Sequence, residues 1–217
     1  MLAFAIDAWW DARLERIEER RILVSLKTEF LSNAERIPWF IERHQKTADY
    51  ARALLNAMKK AESGSTLRYS AADFVQVLEH NSTDPQRGAL DAMLQSGELR
   101  YISNPRIRER LAAWPRLVVD ATENEDLLRN LWGPKLIEAL AKDVDLTIMD
   151  DVDETCFEDP TLEQCAALEI RLPRNTVVMA YLRPTSGYSG EAARELGILV
   201  EEANDIVSLI NQDLVAR

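Results

Sequence analysis

Apolar side chains in the first quarter of the chain recur at steps of three and four. Leu23, Leu26, Phe30, Ala34, Ile37, Ile41, His44, Ala48, Ala51, Leu55 and Met58 follow one another in this way. That spacing places them on one face of an α-helix. The row keeps phase across Pro38, so the pattern predicts one helix over 2–62, roughly 90 Å long at the α-helical rise. A helix of that length suits a stalk, a coiled-coil partner or a membrane tether. The same periodicity returns at the other end in Leu196, Leu199, Ala203, Ile206, Ile210 and Leu214, and predicts a second long helix over 189–215.

Between these two, helix starts are marked by a residue suited to the N-cap standing before proline. Asp84-Pro85, Asn104-Pro105, Gly133-Pro134 and Asp159-Pro160 all have this form. They predict helices over 85–96, 105–129, 134–142 and 160–171, with further helices over 70–80 and 175–184. Pro115 should kink or split the helix that contains it. Gly64, within a Ser-rich stretch, ends the first helix. Asp145–Met149 and Asn175–Leu182 are the only strand-like runs, and both are too isolated to build a sheet. The expected fold is all-α: a very long N-terminal helix packed antiparallel with a long C-terminal helix, and several short helices beside them. The division along the chain is 1–22, an anchoring end with a charged exit segment, and 23–217, one helical bundle.

Composition narrows the function. The 217 residues carry a net charge of −11, which argues against nucleic acid as a partner because phosphate binding needs a concentrated positive surface. Apolar content of 47% suits a folded domain, and seven glycines are few for a glycine-rich phosphate loop. No run of eighteen apolar residues exists to span a bilayer.

The opening segment is nevertheless apolar at nearly every position from Leu2 to Trp10, then abruptly charged from Asp11 to Arg21. It lacks the basic flank and cleavage site of a signal peptide. Two readings stay open. In one, these are the last turns of a spanning helix, with Leu2, Phe4, Ile6, Trp9 and Trp10 at the membrane interface. In the other, they are an ordinary helix end packed on its own domain or on a second copy. The arginines at 13, 16, 20 and 21 could meet anionic headgroups. Interleaved Glu15, Glu18 and Glu19 favour i,i+4 pairing on a solvated face instead.

Local chemistry is sparse. Leu146–Met149 followed by Asp151-x-Asp153-x-Thr155 has the form of the phosphoaspartate loop of haloacid-dehalogenase-type phosphatases, a minor alternative involving metal-dependent phosphoryl chemistry. Glu154 stands where that loop has glycine. As a calcium loop the same stretch fails at its sixth and twelfth positions, which are Cys156 and Leu162. Acids crowd 143–159 with no Lys or Arg among them, the composition of a solvated loop. Cys156 and Cys165, the only cysteines, could close a disulfide in an oxidising compartment or remain thiols in the cytosol. With two distant histidines they make no zinc set. His44 belongs to the apolar row as a packed residue, and His80 ends a helix where a cation is favourable. No catalytic, cofactor or metal residues are expected.

Two stretches together carry a resemblance. The first is Leu2–Arg13 with Glu18-Glu19-Arg20-Arg21-Ile22-Leu23. The second is Gly88–Pro105, centred on Leu94, Ser96, Gly97, Leu99, Ile102, Asn104 and Pro105 and continued by Arg108–Trp114. Together they resemble a family of uncharacterised bacterial single-pass proteins with a Trp-containing membrane exit and a central Leu-x-Ser-Gly-x-Leu-x-x-Ile signature. In that family a spanning helix runs straight into a charged helix; here most of the spanning part is missing ahead of Trp9, so the start lies upstream or the anchor has been lost. The resemblance implies a membrane-associated, non-catalytic scaffold or sensor domain and brings no catalytic residues with it. The inner membrane is the expected location. Arg13–Arg21 favour a cytoplasmic bundle, the cysteine pair favours the outside, and the balance leans extracytoplasmic. The expected partner is the lipid bilayer or a membrane protein met through the N-terminus. The alternative is a soluble cytoplasmic protein that homodimerises through 23–58.

Physically, Gly97 can adopt the left-handed conformation that ends a helix, letting Leu99 and Ile102 return to the core.

Overall fold

The computed structural model describes residues 2–153, 155–156, 162–166 and 168–216, and the side chains of 2–8, 164 and 166 are not among what it describes. Leu2, Phe4 and Ile6 as interface side chains, Glu154, and the helix start at Asp159-Pro160 therefore lie outside the described residues. The fold is helical, with a very long N-terminal helix packing against a long C-terminal one. Helix α1 runs Leu2–Lys60 with Pro38 inside it. It is followed by β1 (Thr66–Ser70), α2 (Ala71–Leu78), α3 (Gly88–Ser96) and a 3-10 turn, Glu98–Tyr101. Next come α4 (Pro105–Leu127), a π-helical turn (Leu128–Trp132), α5 (Gly133–Leu140) and a 3-10 turn, Leu146–Asp151. The one-turn α6 (Glu163–Ala166), β2 (Glu169–Pro173) and α7 (Thr176–Val215) complete the order.

Residues divide into two compact units, one of 1–38, 84–121 and 197–217, the other of 39–83 and 122–196. In the first unit, α1 buries Ile22, Leu23, Leu26, Phe30 and Ile37. Phe30 meets Trp114 of α4 edge-on, ring centroids 4.7 Å apart, with both rings fully buried. The inward face of α1 also carries polar residues, and each holds backbone of 84–104. Glu29 accepts from the amides of Ala89 at 2.6 Å and Leu90 at 3.1 Å. Asn33 exchanges two hydrogen bonds with the backbone of Gln86, at 2.8 and 2.7 Å. Glu19 accepts from the amide of Ser103. These contacts explain why α3 begins at Gly88 rather than at residue 85. Its first amides are satisfied by a carboxylate from a distant helix, and Asp84-Pro85 precedes it as irregular chain. Pro105 does open α4, with Asn104 Oδ1 accepting from the amide of Arg106 at 3.1 Å. On α4, Arg110 pairs with Glu202 at 2.6 Å and Asp205 at 3.2 Å on α7.

In the second unit, Ala51, Leu54 and Met58 of α1 share a core with Phe74 and Val77 of α2, Leu136 and Leu140 of α5, and Val178 and Leu182 of α7. Ile170 and Leu172 of β2 join it. The strands pair antiparallel from Thr66 opposite Pro173 to Ser70 opposite Glu169. This small sheet corrects the end of the helix expected over 160–171, of which Glu163–Ala166 is helical. Ile170 and Leu172 are buried while Glu169 and Arg171 are exposed, a period of two that the helical reading passed over. Leu146–Met149, strand-like in sequence, is part of a 3-10 turn instead.

Besides Pro38 in α1, three prolines that could end helices do not. Pro115 and Pro184 lie within α4 and α7, and the expected break between residues 184 and 189 is absent. There Thr185 donates to Tyr181 O at 2.9 Å and Ser186 to Ala48 O at 2.9 Å, so packing on α1 holds the turn in helix. Gly133-Pro134 likewise fails to begin a separate helix. Pro134 cannot donate within a regular turn, and its ring would crowd the carbonyl four residues back. The chain widens instead: the Gly133 amide donates to Leu128 O, five residues back, and α4 passes through the π turn into α5.

Candidate functional site

Exposure is concentrated at the front of α1. Trp9 and Trp10 are each 51% exposed, Leu14 59% and Ile17 56%. The two indoles pack edge-to-face at 5.2 Å, and the Arg13 guanidinium lies 5.6 Å over the Trp9 ring. Glu18 and Arg21 form an i,i+3 ion pair alongside. The Arg21 guanidinium beside it holds the Glu18 carboxyl below its usual range. An open cleft of about 610 Å³ follows, lined by Ala12, Glu15, Arg16 and Glu19 of α1 and by Arg100, Tyr101 and Ser103. Its floor is fixed by the bond from the Ser103 amide to Glu19.

The segment expected to carry the Ser-Gly signature borders that cleft. Gly97 has φ +74° and ends α3, its amide returning to Met93 O, and no other residue type takes that backbone as readily. Ile102 is fully buried, whereas Leu94 and Leu99 are half-buried and Ser96 is exposed with its hydroxyl on Met93 O. Arg108 donates to Ile102 O at 2.6 Å and Ser103 O at 3.2 Å, closing the turn. Each of these residues has a bond or a packing role within the turn itself.

The apolar row of α1 is spent inside the chain. Leu23, Leu26, Phe30, Ile37, His44, Ala48, Ala51, Leu55 and Met58 are all buried, so the face expected to pair with a second copy through 23–58 is covered by the chain's own helices.

A buried polar cluster in the second unit was not legible beforehand. His44 Nε2 lies 2.7 Å from Glu125 Oε1. The same carboxylate accepts from the Thr83 amide at 2.8 Å and from the Thr83 hydroxyl at 2.7 Å. All three residues are buried. A carboxylate only accepts, so the bond to Glu125 is made with the imidazole proton on Nε2. Glu125 lies 81 positions from His44, and nothing local in sequence links them. His80 corrects the expectation of a cation at a helix end: burial drives its pKa down, the Glu79 backbone pulling the other way and His44 adding to the fall. The His80 ring presses on Gly133 so closely that a Cβ there would overlap it. Beyond it, Trp132 of the π turn stacks on Tyr188 at 6.2 Å, with Lys135 Nζ 5.4 Å from the indole centroid.

In the acidic stretch the described acids are exposed. Asp145 caps the 3-10 turn, accepting from the Thr147 amide and hydroxyl, and those bonds hold its carboxyl below the usual range. Asp151 and Asp153 are exposed, and Asp153 accepts from the Thr155 amide. Among the described residues no group of three or more His, Cys, Asp or Glu is arranged to hold a metal ion. Cys156 and Cys165 are joined in a disulfide buried against Ala71, Ala72 and Val75 of α2. Among the described residues, no helix is long and apolar enough to cross a membrane. The chain matches no protein-family model, no curated protein and no solved structure.

Proposed function

We propose that this protein is a non-catalytic helical scaffold that sits at a membrane through the front of α1. The observation that carries the reading is the exposure of Trp9, Trp10, Leu14 and Ile17 on a helix end where every residue from 9 to 17 is exposed. Indoles favour the headgroup region, where an apolar ring and a polar N–H are both satisfied. Arg13 and Arg16 follow within a turn or two, placed to meet anionic headgroups. The resemblance to single-pass proteins with a Trp-containing exit supports the same placement. The buried His44–Glu125–Thr83 bonds fit a scaffold, since their hydrogen-bonding capacity goes to joining helices. The closed Cys156–Cys165 bridge supports an oxidising, extracytoplasmic side.

Flotation of the full chain with phosphatidylethanolamine–phosphatidylglycerol vesicles tests the reading. The wild type should float and the Trp9→Ser/Trp10→Ser variant should remain at the bottom of the gradient. A wild type that stays at the bottom overturns the membrane role.

A further inference from the structure

Along the first unit, α1 is apolar on two opposite sides. One carries the buried Ile22, Leu23, Leu26, Phe30 and Ile37. The other carries Trp10, Leu14, Ile17, Val24 and Leu31, all between 36% and 59% exposed. The second row follows steps of four and three when Arg21 and Thr28 are counted with it. That is a repeat of 3.5 residues, the seam of a two-stranded coiled coil rather than scattered surface apolars. In heptad terms Trp10, Ile17, Val24 and Leu31 occupy d, while Leu14, Arg21 and Thr28 occupy a. Polar residues at a fix register and strand number at some cost in stability.

The flanks identify the occupant. The g positions are Arg13, Arg20 and Lys27, all basic; the e positions are Asp11, Glu18, Ser25 and Ser32. Glu98 lines a small cleft with Arg21 and Ser25 beside this row. An antiparallel partner would set g against g and e against e, base facing base and acid facing acid. A parallel partner sets g against e, so that Arg13 of one copy meets Glu18 of the other in both directions.

We propose that α1 pairs with the α1 of a second copy, parallel and in register over residues 10–31. This surface lies opposite the buried row, so pairing leaves the core of the first unit intact. The pairing does not rest on the membrane reading: it takes up Trp10, Leu14 and Ile17, three of the four side chains that carry that reading, and leaves Trp9 outside the seam at the N-terminal end of the pair.

Sedimentation of the full chain at micromolar concentration, without lipid or detergent, should give twice the monomer mass. Ile17→Glu/Val24→Glu should halve that mass while leaving far-ultraviolet circular dichroism unchanged, because both positions are exposed. Ile17→Cys and Leu31→Cys, made singly and mildly oxidised, should each yield a covalent dimer, since in parallel register each residue faces itself. A monomeric wild type overturns the pairing; if that monomer floats with vesicles, the membrane reading survives alone. A dimer in which Leu31→Cys cross-links only to Trp10→Cys overturns the parallel register. A dimer untouched by Ile17→Glu/Val24→Glu places the interface elsewhere and overturns the proposal.

Discussion

Glu125 offers the sharpest test of how the second unit is held together. Its carboxylate joins His44 of α1 to Thr83, which follows α2, and it is itself buried on α4. Glu125→Ala strands an imidazole N–H, a backbone amide and a hydroxyl in a buried site. Removing one member of a buried, charge-assisted set costs about 3–5 kcal/mol, because the partners' desolvation is no longer offset. For a chain of this size that is a fall in Tm of roughly 6–20 °C. Glu125→Gln should be far milder, about 1–2 kcal/mol. Its carbonyl can still accept from the Thr83 amide. Its NH2 can donate to the Thr83 hydroxyl and to His44 once that ring moves its proton to Nδ1. Thermal and urea unfolding followed by circular dichroism measure both. An alanine variant within about 0.5 kcal/mol of wild type, the range of ordinary surface changes, would refute the account. So would a glutamine variant as costly as alanine.

Further outcomes follow from the same region. Gly133→Ala should destabilise by about 1–3 kcal/mol through overpacking against His80 and the Leu128 carbonyl. His80→Ala should recover part of that loss, and fully additive effects in urea unfolding would exclude the contact as the cause. His80 should also make the protein acid-sensitive. Its folded pKa lies below the unfolded imidazole value of about 6.5, so as pH falls through that value the unfolded chain takes up the proton first and stability drops. His80→Gln should flatten the pH dependence of Tm between neutral and mildly acidic pH, and an unchanged slope would assign the effect to another group. Asp73, whose carboxyl burial raises, acts with the opposite sign and at lower pH. Cys156→Ser/Cys165→Ser opens a loop of sequence separation 9, which the chain-entropy model values at roughly 2.5–3 kcal/mol. Thiol titration of the native protein should find no reactive cysteine, and urea unfolding should read the loss in the variant.

The long helices were legible because burial repeats along them. An amphipathic row from Leu23 to Met58 has only one way to hide its apolar side, and its period names the structure that does so. The Asn104-Pro105 start and the Gly97 stop were equally readable, since each is decided by the backbone of one or two residues. Where the expectation failed, a distant group had taken over a local task. Glu29 caps α3 in place of any residue near Asp84, and Ser186 on Ala48 O carries α7 past Pro184. Pairing of Glu169–Pro173 with Thr66–Ser70 makes strand from a segment whose neighbours suggested helix. The surface at the front of α1 was legible only in part: Trp9 and Trp10 stood out, while the heptad row from Trp10 to Leu31 was hidden beneath the stronger row opposite.

Sequence alone determined that the chain is helical, that α1 and α7 are its long members and that α1 must cover one apolar side, because these follow from periodicity and from the φ limits of proline and glycine. Tertiary structure decided which of α1's two apolar rows is buried, which carboxylate His44 meets, and where a widened turn absorbs Pro134. Those outcomes depend on side chains brought together from positions tens of residues apart. Their energies come from desolvation and from paired hydrogen bonds, which no local spacing encodes.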